Sequence, residues 1–224
     1  MKGKVVEIFA SIQGEGVYVG ERQLFVRLAG CNLKCGYCDT DTSKYKEYEP
    51  QEVLDELARH KGQFHAISFT GGEPLVQKDF LKELMRLTRQ RGYKNYLETN
   101  GTLVAEMAEV APLTDFVAMD LKFPSSTGCG ELWDTHYQFL DACKSVKELF
   151  FKAVVCVSTK EEDLLKAIDL IKEGRLSSVL VLQPDSNAPK GSLDGKLRSF
   201  KKTCDENGVV ACVIPQVHKI IGAR

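Results

Sequence analysis

Long apolar runs and an excess of charge of one sign are both missing from this chain of 224 residues. No apolar stretch approaches the roughly 18 residues that a membrane-spanning helix needs. The formal net charge of −1 provides no basic surface for nucleic acid or for an acidic membrane. Residues 1–8 contain no apolar signal-peptide core, so we expect a cytoplasmic protein without nucleic-acid or membrane partners.

Internal repeats, low-complexity tracts and linker-like segments are missing as well. Hydrophobic residues make up 43% of the chain and charged residues 27%, which is ordinary for a folded soluble protein. A chain of this length can bury a substantial core within one domain. We therefore predict a single domain over residues 1–224.

A second set of closely spaced cysteines, which a structural zinc site would need, is also missing. Cys31, Cys35 and Cys38 have the spacing C-x3-C-x2-C, whereas structural zinc usually takes four ligands from two pairs. The density of cysteine is too low for a small secreted domain held by disulfides. Four of the five other cysteines lie in apolar or helical patterns that are typical of inert thiols: Cys143, Cys156, Cys204 and Cys212. The fifth, Cys129, lies in a predicted loop and has no evident role. Zinc is therefore the lesser alternative.

The three clustered cysteines suit an iron–sulfur cluster better. A cubic [4Fe–4S] cluster normally takes four thiolates, one for each iron. No fourth cysteine lies near the trio in the sequence, so one iron would be left open for a non-protein ligand. We therefore predict a cluster loop over residues 31–38.

Short apolar runs alternate with longer amphipathic segments along the chain. The apolar runs are rich in β-branched and aromatic residues and predict strands at 24–29, 65–70, 95–99, 116–122, 149–157, 178–182 and 209–214. The amphipathic segments predict helices at 50–60, 79–91, 132–145, 160–173 and 193–207, with a shorter one at 104–112. Asp79 is predicted to cap the second of these helices.

Strands that alternate with helices in this way form parallel βαβ units. A closed eight-fold barrel typically needs about 250 residues, which exceeds this chain. We therefore predict an α/β fold whose parallel strands form an open, partial barrel. Functional side chains should gather at the carboxyl ends of the strands, and the cluster loop directly follows strand 24–29.

Two motifs resemble those of the radical S-adenosylmethionine (radical SAM) superfamily. The first is the cysteine trio with Tyr37 before its last member, and the second is Thr70-Gly-Gly-Glu-Pro74 at a predicted strand end. The resemblance implies a [4Fe–4S] cluster on the three cysteines, with SAM as the ligand of the open iron. It also implies that Gly72 and Glu73 belong to the SAM site, and that one-electron reduction of SAM releases a 5′-deoxyadenosyl radical.

Polar residues follow other predicted strands. Asp120, Lys122 and Gln183 stand where their apolar runs stop, and the radical SAM resemblance places such strand ends in the SAM cleft. Many members carry Ser-Pro-Lys where this chain has Asp120-Leu-Lys122, so the contact made by Asp120 stays open. Glu98 ends another strand, and Lys152 interrupts a buried run where an unpaired lysine would be costly, and both roles stay open.

A polar segment over residues 9–27 is a candidate substrate-binding loop. Gln13 and Glu15 can pair with the N–H and C=O edges of a pterin or purine ring. The Arg27 guanidinium can hold a carboxylate through two hydrogen bonds. From these residues alone, a solvated glycine-rich loop explains the segment equally well.

The segment and the C-terminus together are similar to 7-carboxy-7-deazaguanine synthases. The similarity is carried by Phe9-x-Ser-Ile-Gln-Gly-Glu-Gly16, by Phe25-Val-Arg-Leu-x-Gly-Cys-Asn-Leu-x-Cys-x-x-Cys-Asp-Thr40 and by Ile214-Pro-Gln-Val-His-Lys-Ile-Ile-Gly222. These radical SAM carbon–nitrogen lyases convert 6-carboxy-5,6,7,8-tetrahydropterin to 7-carboxy-7-deazaguanine, with ring contraction and loss of ammonia, on the route to queuosine and related deazapurines.

The resemblance also assigns site residues and partners. It implies that the pterin contacts Ile12, Gln13, Gly14, Glu15, Arg27, Thr70, His218 and the terminal carboxylate of Arg224. It implies that SAM contacts Tyr37, Cys38, Asp39, Gly72, Glu73, Asp120, Lys122 and Gln183. Thr40 would ligate a Mg²⁺ that also meets the substrate, which suits a hard cation with oxygen ligands. A homodimer and an electron donor such as flavodoxin or ferredoxin are expected as well.

Two other functions stay open. The Asp120-Leu-Lys122 segment also resembles glycyl-radical activating enzymes, which are radical SAM enzymes that act on a protein partner. Such an enzyme would not need the polar set of Gln13, Glu15 and Arg27. A zinc or iron–sulfur binding module without activity would not need the Thr-Gly-Gly-Glu-Pro motif or the polar strand ends.

Overall fold

Strands that alternate with helices make up most of the protein, which a computed structural model describes over residues 1–174 and 178–223. The strands are β1 (Gly3–Ile12), β2 (Arg22–Leu28), β3 (Lys46–Tyr48), β4 (Ala66–Gly71), β5 (Asn95–Thr99), β6 (Phe116–Asp120), β7 (Glu148–Val155), β8 (Leu180–Pro184) and β9 (Ala211–Val213). The α-helices are α1 (Pro50–Ala58), α2 (Lys78–Gln90), α3 (Val104–Val110), α4 (Pro124–Thr127), α5 (Trp133–Ala142), α6 (Glu161–Glu173), α7 (Asp194–Glu206) and α8 (Val217–Ile221). Two 3₁₀ turns lie at Pro74–Gln77 and Ala111–Leu113.

The strands of the described chain form one sheet in the order β3-β1-β2-β4-β5-β6-β7-β8-β9. β2 and β4 to β9 pair in parallel, whereas β1 is antiparallel to both β2 and β3. The terminal strands β3 and β9 are not paired with each other, so the sheet is open. The predicted α/β partial barrel is confirmed.

The two faces of each parallel strand have different tasks. On β4, Ile67 and Phe69 are fully buried and belong to the main apolar core together with helix α2. Side chains alternate between the faces of a strand, so Ser68 and Thr70 point the other way, where both donate hydrogen bonds to Glu98. Helices therefore cover the outer face, while the inner face carries a smaller apolar cluster around Tyr96 and Phe150 and turns polar toward the carboxyl ends of the strands.

The segment 9–27, predicted to be a loop, is largely a β-hairpin. Its ends belong to β1 and β2, and the connection spans residues 13–21. Phe9 and Phe25 lie opposite each other across the hairpin and their rings stack at 5.0 Å. Such cross-strand pairs stabilise an antiparallel ladder. The prediction of a loop is therefore wrong for residues 9–12 and 22–23, which belong to β1 and β2.

Helix α2 begins one residue before the predicted start. Gln77 occupies the N-cap position, and Asp79 lies inside the first turn, so the prediction that Asp79 is the cap is wrong. The 3₁₀ turn Pro74–Gln77 leads directly into the helix and sets its start. Among the described helices the longest have 13 residues, and none is long and apolar enough to cross a membrane.

Candidate active site

Two adjoining cavities open at the carboxyl ends of the parallel strands. The larger, of about 540 Å³, contains the cysteine trio, and we refer to it as the cysteine end. The smaller, of about 310 Å³, lies against the β1–β2 hairpin and α8, and we refer to it as the hairpin end. Arg27, Thr40, Thr70 and Glu98 line both cavities, so the two form one cleft.

The cluster loop packs closely against the glycine pair that follows β4. A Cβ atom on Gly72 would lie 2.0 Å from the carbonyl oxygen of Gly30 and 3.1 Å from the Cβ of Cys31. Only glycine fits at such a distance. The backbone N–H of Glu73 donates to the same Gly30 carbonyl at 2.8 Å. The glycine motif therefore holds the start of the cluster loop in addition to lining the cleft.

All three cysteines of the motif line the cysteine end. Cys31 and Cys38 are exposed, and Cys35 is half-buried. Burial raises the pKa of Cys35 to about 12 and also raises the pKa of Cys31. Within the described chain, no three His, Cys, Asp or Glu side chains are close enough to hold a single metal ion. Three thiols around one shared cavity suit the larger [4Fe–4S] cluster, whose irons each take one thiolate.

The opposite wall of the cysteine end carries two acceptors without donors. Asp120 Oδ1 and Gln183 Oε1 are buried and have no hydrogen-bond partner. The other Asp120 oxygen accepts from Lys122 Nζ at 2.8 Å, and Lys122 also donates to the Tyr37 hydroxyl at 3.3 Å. A buried acceptor that lacks a donor costs about 1–3 kcal/mol. The hydroxyl and ammonium groups of SAM are donors of the kind that this wall lacks, so the residues present fit SAM.

Glu73 does not line either cavity, and its contact with SAM stays a prediction. Its side chain is fully buried, with one oxygen accepting from Leu75 N at 3.1 Å and from Thr99 Oγ1 at 2.9 Å. The other oxygen accepts from Asn100 N at 2.7 Å. Burial raises the pKa of Glu73 to about 7. The residue joins the ends of β4 and β5, because its side chain turns inward to cap the following 3₁₀ turn.

Glu98 is the centre of a hydrogen-bonded group at the hairpin end. Gln13 Nε2 donates to its Oε1 at 2.9 Å, and Thr70 Oγ1 donates to its Oε2 at 2.9 Å. Gln13 is only 2% exposed, and its own oxygen accepts from the backbone of Glu15 at 3.1 Å. Gln13 and Thr70 therefore orient the Glu98 carboxylate toward the cleft. The sequence signal for Glu98 was an acidic side chain at the carboxyl end of a strand.

Lys152 lies between two carboxylates that belong to different parts of the cleft. Its ammonium pairs with Glu15 and lies 3.7 Å from Asp120 Oδ2. Burial opposes the ionisation of Glu15, yet the Lys152 charge and hydrogen bond prevail and lower the pKa of Glu15 to about 2. Gln216 from the C-terminal segment donates to the other Glu15 oxygen at 2.7 Å. The buried lysine that the sequence left without a role is thus paired.

The C-terminal segment closes the hairpin end. Val217 N donates to Gly14 O at 2.9 Å, and a Cβ on Gly14 would lie 2.1 Å from His218 Nδ1. Glycine at position 14 therefore lets the His218 ring reach the cleft. Lys219 pairs with Asp39, whose pKa is lowered because this pairing outweighs the effect of burial. Arg224 lies outside the described residues.

Arg27, which lines both cavities, is oriented by an acidic neighbour on the same hairpin. Arg27 Nε donates to Glu7 Oε1 at 2.7 Å, and both residues are about one quarter exposed, with side-chain values of 25% and 24%. The pair fixes the plane of a guanidinium that lines both cavities. Thr40, also on both cavities, donates to Asp39 Oδ1 at 3.4 Å.

Comparison with known proteins identifies the family. A model of the radical SAM superfamily matches residues 26–187. A 7-carboxy-7-deazaguanine synthase of Geobacter sulfurreducens is 33% identical in an alignment of 241 positions, gaps included, that covers 96% of each chain. Another, from Methanothermobacter thermautotrophicus, is 34% identical in an alignment of 254 positions that covers 100% of this chain and 99% of the other protein. The chain belongs to the 7-carboxy-7-deazaguanine synthase family.

Solved structures share the fold of this family member. The crystal structure of QueE from Escherichia coli superposes with a TM-score of 0.70 and 23% identity, covering 94% of this chain and 93% of that one. A structure of TYW1 with a lysine-pyruvate adduct gives a TM-score of 0.62 at 17% identity, covering 83% of this chain and 73% of the other. As a radical SAM enzyme, the chain uses a [4Fe–4S] cluster and SAM.

The cleft of this family member brings together nearly every site residue that the sequence predicted. The hairpin end is lined by Ile12, Gln13, Gly14, Glu15, Arg27, Thr70 and His218. The cysteine end is lined by Cys31, Cys35, Tyr37, Cys38, Gly72, Asp120, Lys122 and Gln183, and Asp39 and Thr40 line both. Among the described residues, Glu73 is the exception.

Proposed function

We propose that the chain converts 6-carboxy-5,6,7,8-tetrahydropterin to 7-carboxy-7-deazaguanine, with ring contraction and loss of ammonia. The observation that carries this proposal is the continuity of the cleft, since Arg27, Thr70 and Glu98 line both of its ends. A substrate at the hairpin end would therefore lie directly beside SAM at the cysteine end. A radical SAM enzyme that acts on a small molecule needs this adjacency.

The side chains of the cysteine end divide into ligands of the cluster and ligands of SAM. Cys31, Cys35 and Cys38 would hold the cluster, and Asp120 and Gln183 would accept hydrogen bonds from SAM through their unpartnered oxygens. When bound, the cluster and SAM supply a radical that removes a hydrogen atom from the substrate. Asp120 thus takes the place of the serine that many relatives carry, because its carboxylate is held by Lys122 with one oxygen left over.

The hairpin end matches the two chemically distinct ends of the pterin. The ring presents adjacent N–H donors on its aminopyrimidinone edge, and the Glu98 carboxylate is an oriented acceptor for them. The substrate carboxylate needs a cation, which Arg27 provides. Gln13 orients Glu98 through its Nε2, and its Oε1, which accepts only from Glu15 N among the bonds of the described chain, keeps a lone pair for the ring.

The C-terminal segment has the task of excluding water. Gln216 and Lys219 tie it to Glu15 and Asp39, which belong to the hairpin connection and to the segment after the cluster loop. A closed cleft protects a reactive radical from side reactions with solvent. His218 is the side chain of this segment that enters the hairpin end.

Thr40 is proposed as the protein ligand of a Mg²⁺ that also meets the substrate carboxylate. Its hydroxyl lies where the two cavities join, beside the Asp39 carboxylate. We expect Thr40→Ala to raise the Mg²⁺ concentration for half-maximal activity by about tenfold, the usual scale for losing a supporting ligand. Thr40→Ser, which keeps the hydroxyl, should titrate like the wild type. Equal Mg²⁺ titrations for all three proteins would remove Thr40 from the metal site.

The remaining partner assignments belong to this proposal as well. A one-electron donor of the flavodoxin or ferredoxin type is expected to reduce the cluster, because the reaction begins with a single electron. A homodimer and a cytoplasmic location stay predictions, for which size-exclusion chromatography with light scattering and cell fractionation are the measurements.

The proposed reaction is tested with the purified chain after anaerobic cluster reconstitution. Incubation with SAM, dithionite and 6-carboxy-5,6,7,8-tetrahydropterin should yield 7-carboxy-7-deazaguanine and ammonia. SAM is recovered intact if it is re-formed in each turnover, and 5′-deoxyadenosine accumulates if it is not. Cleavage of SAM without consumption of the pterin would favour a glycyl-radical activating enzyme. Absence of any iron–sulfur absorbance would favour the zinc-module alternative.

A further inference from the structure

Two buried amides connect Glu98 to a histidine at the amino ends of the strands. Gln13 Nε2 donates to Glu98 Oε1 at 2.9 Å and to Gln23 Oε1 at 3.2 Å. The other amide atom of the second residue, Gln23 Nε2, lies 3.2 Å from His65 Nδ1. Both amides are almost completely removed from solvent. The hydrogen-bonded chain therefore runs from the hairpin end of the cleft to His65, which directly precedes β4.

A backbone group fixes the direction of this whole chain. The N–H of Glu15 can only donate, and it donates to Gln13 Oε1 at 3.1 Å. The Gln13 NH₂ group must therefore face Glu98 and Gln23. Gln23 then has to present its oxygen to Gln13 and its own NH₂ group to His65. Because Nδ1 of His65 must accept, the ring is neutral and carries its proton on Nε2.

Aromatic packing holds the His65 ring in place. The imidazole stacks on the Tyr18 ring at 4.6 Å and lies 4.9 Å from the Phe116 ring. The Tyr18 hydroxyl in turn donates to Glu148, which fastens the stacked ring to β7. Contacts on two sides therefore keep Nδ1 of the imidazole directed at Gln23.

The groups that surround His65 favour the neutral ring. Burial lowers the pKa of His65 below its ordinary value, and the charge of Lys94 acts in the same direction. Glu21 and Glu148 act in the opposite direction, but burial is the largest influence. Burial also raises the pKa of Tyr18, so the stacked phenol stays neutral.

We propose that neutral His65 is a positioning residue for the pterin. It acts through the two amides and sets the direction of the NH₂ group that donates to Glu98. His65 lines neither cavity, so its influence on the substrate passes through these side chains. Protonation would make Nδ1 a donor and force the Gln23 amide to reverse, which would bring two NH₂ groups face to face. The inference rests on the proposed function in one respect, which is that Glu98 recognises the pterin.

The first test observes the tautomer in the reconstituted wild-type enzyme with its cluster oxidised. Long-range proton–nitrogen NMR correlation spectra should show His65 as a neutral ring with its proton on Nε2 near neutral pH. The chain has 4 histidines, and the ring signal that is missing in His65→Asn identifies this one. A proton on Nδ1 near neutral pH, in a neutral or a charged ring, overturns the inference.

Kinetics with two variants separate this role from a structural one. Asparagine places an oxygen close to the position of the histidine Nδ1, so His65→Asn keeps the acceptor but does not titrate. His65→Phe keeps the aromatic packing and loses the acceptor. Near neutral pH, His65→Phe should raise KM for the pterin about fivefold, the scale of one ordinary hydrogen bond, with kcat little changed. His65→Asn should stay close to the wild type.

The dependence on pH gives a third readout. As the pH falls through the pKa of His65, which burial places below the ordinary value, kcat/KM of the wild type should fall relative to that of His65→Asn. The ratio of the two enzymes cancels the titrations that they share. His60, just after α1 and outside both cavities, offers His60→Asn as the matched control, for which the ratio to the wild type should be constant.

The outcomes distinguish the inference from the function on which it rests. A wild-type KM in His65→Phe overturns the inference and leaves the proposed reaction intact. The same holds for a ratio of wild type to His65→Asn that stays constant across the pH at which the NMR spectra show the ring gaining its second proton. If His65→Phe does not fold, the tautomer and this ratio decide. A wild-type enzyme that does not consume the pterin would instead overturn the proposed function.

Discussion

Replacing Lys152 by methionine is expected to lower kcat/KM for the pterin by about 100-fold, since truncating one partner of a buried charge pair at a binding surface costs about 2–5 kcal/mol. Methionine keeps much of the length of lysine and removes its charge. The ammonium serves Glu15 at the hairpin end and Asp120 at the cysteine end. Without it, both carboxylates lose a cation in the middle of the cleft, and the walls for substrate and for SAM lose their common support.

Lysine-to-arginine and surface controls make this result specific. Lys152→Arg keeps the charge and should recover part of the activity. Lys166 pairs with Glu131 at the surface, with side chains 45% and 71% exposed, so Lys166→Met should leave kcat/KM unchanged. Steady-state assays on reconstituted enzymes measure these values. A Lys152→Met enzyme with the wild-type kcat/KM would exclude Lys152 from the organisation of the cleft.

The same substitution should change how stability depends on pH. In the wild type the pKa of Glu15 is lowered from 4.5 to about 2, so its contribution is complete above the unfolded value and is lost as the pH falls through the folded one. In Lys152→Met the buried Glu15 carboxylate loses its paired cation and keeps only the smaller influence of His218, so burial then raises its pKa. Protonation of Glu15 removes an unpaired buried charge from the variant, which becomes more stable. In the wild type the same protonation breaks the ion pair with Lys152, which lowers the stability. Urea unfolding should therefore show a deficit that is largest near neutral pH and shrinks in acid.

The sequence predicts the parallel part of the fold because its signals are local. Strands β4 to β8 are covered on both faces, so each is a short apolar run that can be read without knowing its neighbours. The cysteine trio and the glycine pair are also local, since both lie on single turns that follow strands. Antiparallel β1 and β3 were not predicted, because their pairing partners lie elsewhere in the chain.

The parts of the site that escaped prediction depend on contacts between distant segments. Glu15 meets Lys152 and Gln216 across 137 and 201 residues, so the sequence singled out Glu15 and Lys152 but could not pair them with each other or with Gln216. Glu73 was expected in the SAM site, yet the local turn directs it into the core.

Exchanging the Glu98 carboxylate for an amide is the second change with a large expected effect. Glu98→Gln should reduce kcat/KM for the pterin by about 100- to 1000-fold, because a charge-assisted hydrogen bond is lost and donors are left unpaired. The new NH₂ group would face either the Gln13 amide or the Thr70 hydroxyl, which donate to Glu98 at 2.9 Å. Glu206, on the surface beside Lys202, offers Glu206→Gln as a neutral control.

Combining Glu98→Gln with a change in the substrate, as in a double-mutant cycle, identifies the group of the pterin that Glu98 recognises. A substrate analogue with an oxo group in place of the 2-amino group lacks one of the N–H donors. If Glu98 accepts that N–H, the analogue should be much poorer than the pterin with the wild type and hardly poorer with Glu98→Gln. SAM binding, followed by equilibrium dialysis, should be the same in both enzymes. Equal discrimination by the two enzymes would mean that the ring turns another edge to Glu98, and the assignment of Arg27 to the substrate carboxylate would then need a different orientation of the pterin.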